Sequence, residues 1–547
     1  MKPNGKYLVT IAQQEITSRY RILRISLRLF IVCGAAALLA AACDPSDPAV
    51  TSTIVVGATV YDGSGGGGVK SAVRFDGDRI AAVGDLTPLE GETVIDAGGL
   101  ILAPGFIDTH GHYYDHRGEY RLMPAVLSQG VTTTVTGLDG FSLADEGPDY
   151  VPMADLVKAF DANPAAVNVA SYSAHNSIRR HVMGSESRRA ATAEELAAMA
   201  ELVEADMRAG ALGLSTGLEY EPGIFSSTEE VIELAKIATR FGGSYASHVR
   251  DEDDLLIEAL NELVRIGREA GLPVHVSHIK LADRALWGTT RTVINLLNAA
   301  RDEGIDVTAD IYPYERWASN LGVLFPDRDF TNREAAEFTF EHTATPEDIL
   351  LTYFAPDPEL AGLTIAQIAK ITDRDAVSTL LALSQAADDY FRQHDRWGAM
   401  IIAKGMNEND VSKFMQWPYT NICSDGGYYI DHPRSYGSFP RVLNHFVDDL
   451  GALSMAEAIY KMTGLSARAL GLTDRGYLRP GMHADLVLFD PESISDRATM
   501  DQPDAVSVGV HKVWVNGELA FADGEPTERF AGRIVTHGTR DSAEPSG

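Results

Sequence analysis

About eight short runs rich in Val, Ile, Thr and Ala recur between Gly105 and Asp425: GFIDTHGH, VTTTVTG, AVNVASYSAH, ALGLST, GSYASH, PVHVSH, IDVTAD and NICSD. Runs of this length and composition, bounded by turn residues, read as strands. Between several of them lie helices with clear start and stop chemistry. Thr192-x-x-Glu195 opens one that stops at Gly210. Ser227-x-x-Glu230 opens another that stops at Gly242, and LLIEALNELVRIGREA runs to Gly271. A Ser or Thr cap with Glu three residues on satisfies free N–H groups at a helix start, and Gly supplies the left-handed turn at its end. Strand–helix alternation predicts a parallel sheet, and about eight units predict a (β/α)8 barrel.

The runs also close on chemistry. Pro104 to His112, PGFIDTHGH, places His110 and His112 two apart, where strand residues point to the same side. His248 closes GSYASH, His278 closes PVHVSH and Asp425 closes NICSD. Neutral imidazoles and carboxylates suit divalent zinc and its neighbours. Barrel active sites lie at strand C-terminal ends, which is where all of these residues fall. His275 alternates with His278 and is expected outward and structural. Cys423 shares a strand face with Asp425; a small buried core residue is the plainer reading.

The flanks differ in texture. From Thr53 to Ala103 short alternating runs and Gly turns predict a small β layer, and strands return after Gly471 in ADLVLFD and VSVGVHKVWVNGELAFADG. The glycine run Gly63 to Gly68 is a hairpin loop, since Val69 stands where a phosphate loop needs Lys and no helix follows. Asp327 to Arg396 is helical and polar in texture and reads as an insertion after the seventh strand. The expected division is 1–43 targeting segment, 44–103 first β-sandwich part, 104–470 barrel with the insertion at about 327–396, 471–536 second sandwich part, and 537–547 disordered tail.

At the N-terminus Arg19, Arg21, Arg24 and Arg28 precede an apolar run, Leu29 to Ala42. At about 14 residues it is short for a bilayer span and fits a signal segment. It ends in LLAAAC, followed abruptly by Asp44-Pro45-Ser46-Asp47. This resembles a bacterial lipobox with Cys43 as the lipidated residue; an ordinary cleaved signal is the alternative. Both imply export, to the periplasm with a lipid anchor in the first case. The long stretch before Arg19 points to a true start downstream of Met1. A formal net charge of −31 over 547 residues argues against nucleic-acid partners, whose phosphates need a basic face. It leaves the membrane reachable only through that anchor.

Taken together, PGFIDTHGH, GVTTTVTG, GALGLSTGLEYEPG, YASHVRDE, VSHIK, DIYPY, SDGG, HPRSYGSFPRVL, RGYLRPGMHADLVLFD and VWVNGELAFADG resemble the amidohydrolase superfamily, in its D-aminoacylase or N-acyl-D-amino-acid deacylase branch. The resemblance runs from about Val55 to Arg533 and implies an α/β fold: a metal-dependent (β/α)8 TIM-like barrel plus a β-sandwich built from both chain ends. It assigns His110, His112, His248, His278 and Asp425 to the metal, with Asp425 also catalytic. It assigns Arg434 to the substrate carboxylate, and Lys280, Tyr220, Tyr312 and His175 to other substrate positions. Packing aromatics and a solvated charge are the plain alternatives for Tyr220, Tyr312 and Lys280. The family signature carries a metal-bridging Cys where this chain has Gly137-Leu138-Asp139-Gly140. Asp139 then bridges as a harder ligand, relaxing a zinc preference toward manganese or cobalt, or it is a cap or turn residue in a degraded site.

The expected activity is hydrolysis of N-acyl-D-amino acids to a carboxylate and a D-amino acid, with one or two divalent ions per subunit. The rival readings are a peptidase releasing a C-terminal D-residue and a non-catalytic metal- or ligand-binding lipoprotein. Side-chain preference, acyl group and oligomeric state stay open. Replacing the lipobox thiol tests the anchor. Cys43→Ser is expected to abolish lipid labelling and release the protein into the soluble fraction; unchanged labelling and membrane association would remove the anchor.

Overall fold

Parallel strands Phe106–Asp108, Val131–Thr136, Asn168–Ser171 continued by Ser173–Ala174, Gly213–Gly217, Ser244–His248, Val274–Val276, Val307–Ile311 and Thr420–Ile422 follow one another around a ring. The computed structural model describes residues 52–113, 120–142, 150–394 and 396–537. The targeting segment with Cys43 and the tail beyond His537 lie outside the described residues. Every residue of these strands is buried, as expected of parallel strands covered by helices. First and eighth strands meet just past their ends. Gly111 and Gly426 form a parallel bridge, the Asp425 N–H donates to the His110 carbonyl (2.8 Å), and the His112 N–H donates to the Gly426 carbonyl (2.7 Å). The segments bearing His110, His112 and Asp425 therefore join the ring's two ends.

The helices follow their caps. Ala193–Arg208 starts at a reciprocal Thr192–Glu195 box, and Leu256–Ala270 ends at Gly271 with φ 73°. Thr228–Arg240 is half an exception. Ser227 caps it, but the Glu230 carboxylate turns inward to His175 and Arg179 instead of closing the box.

Both chain ends build one seven-stranded sheet. Ile101–Pro104, from before the barrel, pairs in parallel with Thr59–Val60 and antiparallel with Leu486–Phe489, from after it. Side chains alternate faces along these strands. Leu102, Leu486, Leu488 and Trp514 pack with Val55, Val73, Phe75 and Ile80 of a second, four-stranded sheet. Ile101, Ala103, Val487 and Phe489 belong to the barrel core. The two central strands, Ile101–Pro104 and Leu486–Phe489, are thus buried on both sides, which explains their unbroken apolar runs.

The insertion differs from its helical texture. Trp317–Ser319, Ile349–Phe354, Leu363–Thr364 and Ala399–Ala403 form an antiparallel sheet, accompanied by helices that include Arg333–Phe338 and Ala376–His394. The inserted unit begins before 327 and ends after 396. Its flanking strands, three and five residues long, are too brief to show an alternating pattern beside a helix of 19 residues.

One polar joint ties the sheet to the barrel. Asp485 accepts from Arg475 Nη1 (2.6 Å), Asn168 Nδ2 (3.2 Å) and the Asn516 N–H (2.7 Å), all buried. Asp485→Ala removes the buried carboxylate from Arg475 and leaves it only the half-exposed Asp474, at 3.3 Å from Nε. It is expected to cost about 3–5 kcal/mol, read as a lower denaturant midpoint; an unchanged midpoint would mean the joint carries no load.

Candidate metal centre and its cleft

His110 and His112 follow the first barrel strand, Asp139 the second and His278 the sixth; His248 ends the fifth, and Asp425 follows the eighth. Three of these turn through left-handed backbone: Asp139 at φ 54°, His278 at 35° and Asp425 at 46°. Such conformations cost non-glycine residues about 1–3 kcal/mol and cluster at functional sites. Here each turn follows directly on a strand. The space is tight enough that a Cβ on Gly217 would lie 2.2 Å from the Asp139 carbonyl oxygen.

The side chains meet in two donor sets that share Asp139. In one, Asp139 Oδ2 lies 3.3 Å from His110 Nε2 and 3.6 Å from His112 Nε2, while Asp425 Oδ1 lies 3.6 and 3.4 Å from the same two nitrogens. In the other, Asp139 Oδ1 lies 3.4 Å from His278 Nε2, which is 3.0 Å from His248 Nδ1. Metal–ligand bonds of about 2.1 Å in a tetrahedron put donor atoms about 3.4 Å apart. Asp139 Oδ1 is buried without a hydrogen-bond partner among the described residues. Donor type, spacing and this orphaned oxygen all fit divalent cations, with Asp139 placed to face two of them. Among the described residues Asp139 caps no helix.

Outer carboxylates complete the arrangement. His248 Nε2 lies 2.6 Å from Glu219 Oε2, and His278 Nδ1 lies 3.1 Å from Glu252 Oε1. Asp310 accepts the His278 N–H and lies 2.9 Å from His275 Nε2. Such partners fix which ring nitrogen faces a metal. The centre is electronegative. Burial lowers the proton affinity of His112, but Asp139 and Asp425 outweigh it and push its pKa up to about 9. For His278, burial and Lys280 oppose protonation, yet Glu252, Asp139 and Asp425 raise it to about 10. Asp425, despite burial, is held well below the usual carboxylate range by Arg434 and the neighbouring histidines. Below the strand ends, Asp108 accepts from Ser424 Oγ (2.5 Å) and N–H (2.9 Å), and burial lifts its carboxyl to about 7.

The cleft has two lobes that share Tyr220, Ala318, Ser319, Asp425 and Arg434. The inner lobe, about 40 Å³, is lined by Lys280, Tyr312, Trp317 and Leu324. The outer, about 520 Å³, opens past His112 and Asp139. Arg434 Nη1 lies 2.7 Å from Asp425 Oδ2, off the line of an aligned hydrogen bond, with its guanidinium 4.8 Å from the Tyr312 ring centre. Lys280 Nζ lies 2.5 Å from Glu252 Oε1 and 2.8 Å from His278 Nδ1. The Tyr220 ring packs 4.3 Å from that of His248.

His175 does not reach the cleft. It is fully buried, with Nε2 2.9 Å from Glu230 and Nδ1 3.4 Å from Asn176 Oδ1, so it ties the helix it opens, His175–Met183, to the helix Thr228–Arg240. His275 is not outward either. It lies against Asp310, because the strand stops at Val276 and the left-handed turn at His278 breaks the alternation. Cys423 is buried and donates to Asp310 Oδ1 (3.4 Å). Glu219, Glu252 and Asp310 were not singled out from sequence. Their signal was position: each lies in a stretch, GLEY, HVRDE or DIYPY, that also carries a tyrosine or histidine assigned to the site.

A profile described as the amidohydrolase family matches residues 93–417 and 420–521. A D-aminoacylase from Alcaligenes xylosoxydans xylosoxydans is 37% identical over 508 residues, covering 90% of this chain and 98% of that protein. Among solved structures, a D-aminoacylase described by its binuclear metal center superposes with TM-score 0.79 at 35% identity, covering 88% of this chain and 99% of that one. An N-acyl-D-glutamate deacylase from Bordetella bronchiseptica, complexed with zinc and a phosphonate inhibitor, gives 0.78 at 33% with the same coverage.

Asp139→Asn keeps the shape while weakening a bridge between cations. Bound metal per chain, measured by elemental analysis after loading, is expected to fall, and Asp139→Cys to restore it with a shift toward zinc. Full occupancy in Asp139→Asn would remove Asp139 from the ligand set.

Proposed function

This chain belongs to the amidohydrolase family, and from that premise we propose that it hydrolyses the amide bond of N-acyl-D-amino acids to a carboxylate and a D-amino acid. The observation that carries this reading is the pair of donor sets joined by Asp139, with Asp425 between them and the cationic wall of the cleft. The D-configuration rests on the relatives, a D-aminoacylase and an N-acyl-D-glutamate deacylase. Those relatives lend no support to a peptidase or a non-catalytic binder.

His110, His112, Asp139 and Asp425 would hold one divalent cation, and Asp139, His248 and His278 another. Zinc is favoured by the imidazoles, with manganese or cobalt as alternatives because of the carboxylate bridge. A bound cation supplies Lewis acidity, polarising the amide carbonyl and making water more acidic. Asp425, held ionised, accepts the water's proton and later delivers it to the departing amine nitrogen. Arg434 and Lys280 hold the substrate carboxylate, and the planar guanidinium fork suits it. Binding that carboxylate draws Arg434 charge away from Asp425, which raises the proton affinity of Asp425 as the substrate arrives. Tyr312, whose buried hydroxyl has no partner among the described residues, and Tyr220 supply further donors to the bound molecule.

Export through the N-terminal segment, with lipidation at Cys43, is part of the same proposal. Its support is the basic stretch, the short apolar run and the LLAAAC end.

Metal-loaded protein given matched N-acyl-D- and L-amino acids is expected to release amine from the D-series. Asp425→Asn should lower turnover by about 10²-fold or more while metal stays at the Asp139–His248–His278 set. No amine from any D-substrate, or near-native turnover in the variant, would overturn the reading.

A further inference from the structure

The outer lobe is far larger than an acetyl group needs. Resting on the deacylase reading, we infer that it is a subsite for a bulky, neutral, aryl-bearing acyl group. The two lobes fix the direction. Arg434 lines both lobes and Lys280 only the inner one, so the carboxylate end of the substrate lies toward the inner lobe. The acyl half then extends from Asp425 into the outer lobe. At about 520 Å³ this lobe lies within the range of pockets, about 300–1,000 Å³, that enclose molecules of drug size. The inner lobe is more than ten times smaller, about 40 Å³ against about 520 Å³.

The walls name the chemistry. Phe141, beside Asp139, meets Trp397 edge-on at 5.7 Å and 87°. At the rim Tyr428 stacks on Tyr120 at 4.4 Å, and Tyr429 meets Tyr120 edge-on. Tyr353 and Tyr429 are 46% and 45% exposed, large aromatic surfaces left in water at the mouth of a cleft. Rings set edge-to-face favour an incoming ring over a flexible alkyl chain, because offset and T-shaped contacts add to burial. Arg396 and Asp431 put one charge of each sign on the rim, so the lobe makes no demand for a charged acyl group. Tyr353 lies on an inserted strand and Trp397 just before another, while Phe141, Tyr120, Tyr428 and Tyr429 lie in segments that follow barrel strands, so the insertion and the barrel's own loops set this preference together.

The test uses N-acetyl-, N-octanoyl- and N-phenylacetyl- forms of one D-amino acid on the metal-loaded full chain, with calorimetric binding of phenylacetate and acetate alongside. The phenylacetyl substrate is expected to exceed the acetyl one in kcat/KM by about 10- to 100-fold and to exceed the octanoyl one. Tyr353→Ala and Tyr429→Ala should shrink the phenylacetyl-to-acetyl ratio, and phenylacetate should bind more tightly than acetate. Equal kcat/KM for acetyl and phenylacetyl, octanoyl matching phenylacetyl, or a ratio unmoved in both variants would overturn the aryl subsite. No turnover in any series, with phenylacetate still preferred and that preference lost in the tyrosine variants, would sink the deacylase reading and keep the subsite.

Discussion

Asp139 reaches two sets of histidines at once, one oxygen toward His110 and His112 and the other toward His278. Every other feature of the centre is consistent with accommodating that carboxylate. It is buried, and it stays ionised because the surrounding histidines outweigh the cost of burial. It stands where it does because its backbone turns left-handed straight after a strand, between Gly137 and Gly140, which share that conformation. Charge is the second constraint. Asp139, Asp425, Glu219, Glu252 and Asp310 crowd one end of the barrel. Arg434 and Lys280 offset part of that charge, and the raised histidines show the remainder. A divalent cation is the compact way to compensate such a cluster.

The centre is also tied to the insertion. Arg328, a buried guanidinium from the insertion, donates to the Glu219 carbonyl oxygen and to the carbonyls of Gly322 and Phe325. Burial lowers its proton affinity, while Glu219 and Glu221 hold the charge in place. Arg188 adds a second tie, to Glu221 (2.7 Å) and to Asp388 of the inserted helix (2.9 Å). The loop that carries Glu219, and through it the ring of His248, is therefore gripped from above as well as held by its own strand. A rigid barrel end and a separately built cover act on the same residue.

The order of strands, the parallel sheet and the position of the candidate ligands were legible because each follows from local rules. A β-branched run, a terminal His or Asp and a capped helix are all read within about 20 residues. The roles of Glu219, Glu252 and Asp310 were not legible, because what matters there is which carboxylate stands behind which imidazole, a fact of three strands at once. His175 misled for the same reason: a histidine after a strand matches the pattern, and only the inward turn of Glu230, a residue that resembles a cap in sequence, shows that its ring is already engaged. The insertion's sheet was missed because its strands pair across more than 80 residues, Trp317 with Ala403. Short strands of that kind owe their existence to partners, not to their own composition.

This division has a consequence for how such a molecule changes. The eight-stranded ring is closed by the segments that carry His110, His112 and Asp425, so a change there alters closure and donor geometry together. The insertion contributes much of the cleft wall, including Tyr353 and Trp397, but none of the residues in the two donor sets. The inserted side chains lining the lobes can therefore be exchanged without replacing a donor, provided Arg328 and Arg188 keep their grip on the loop from Glu219 to Glu221. Those two arginines are where the separation of chemistry from specificity stops. A substitution beneath them is felt at His248, whereas one at the rim is felt only by what enters.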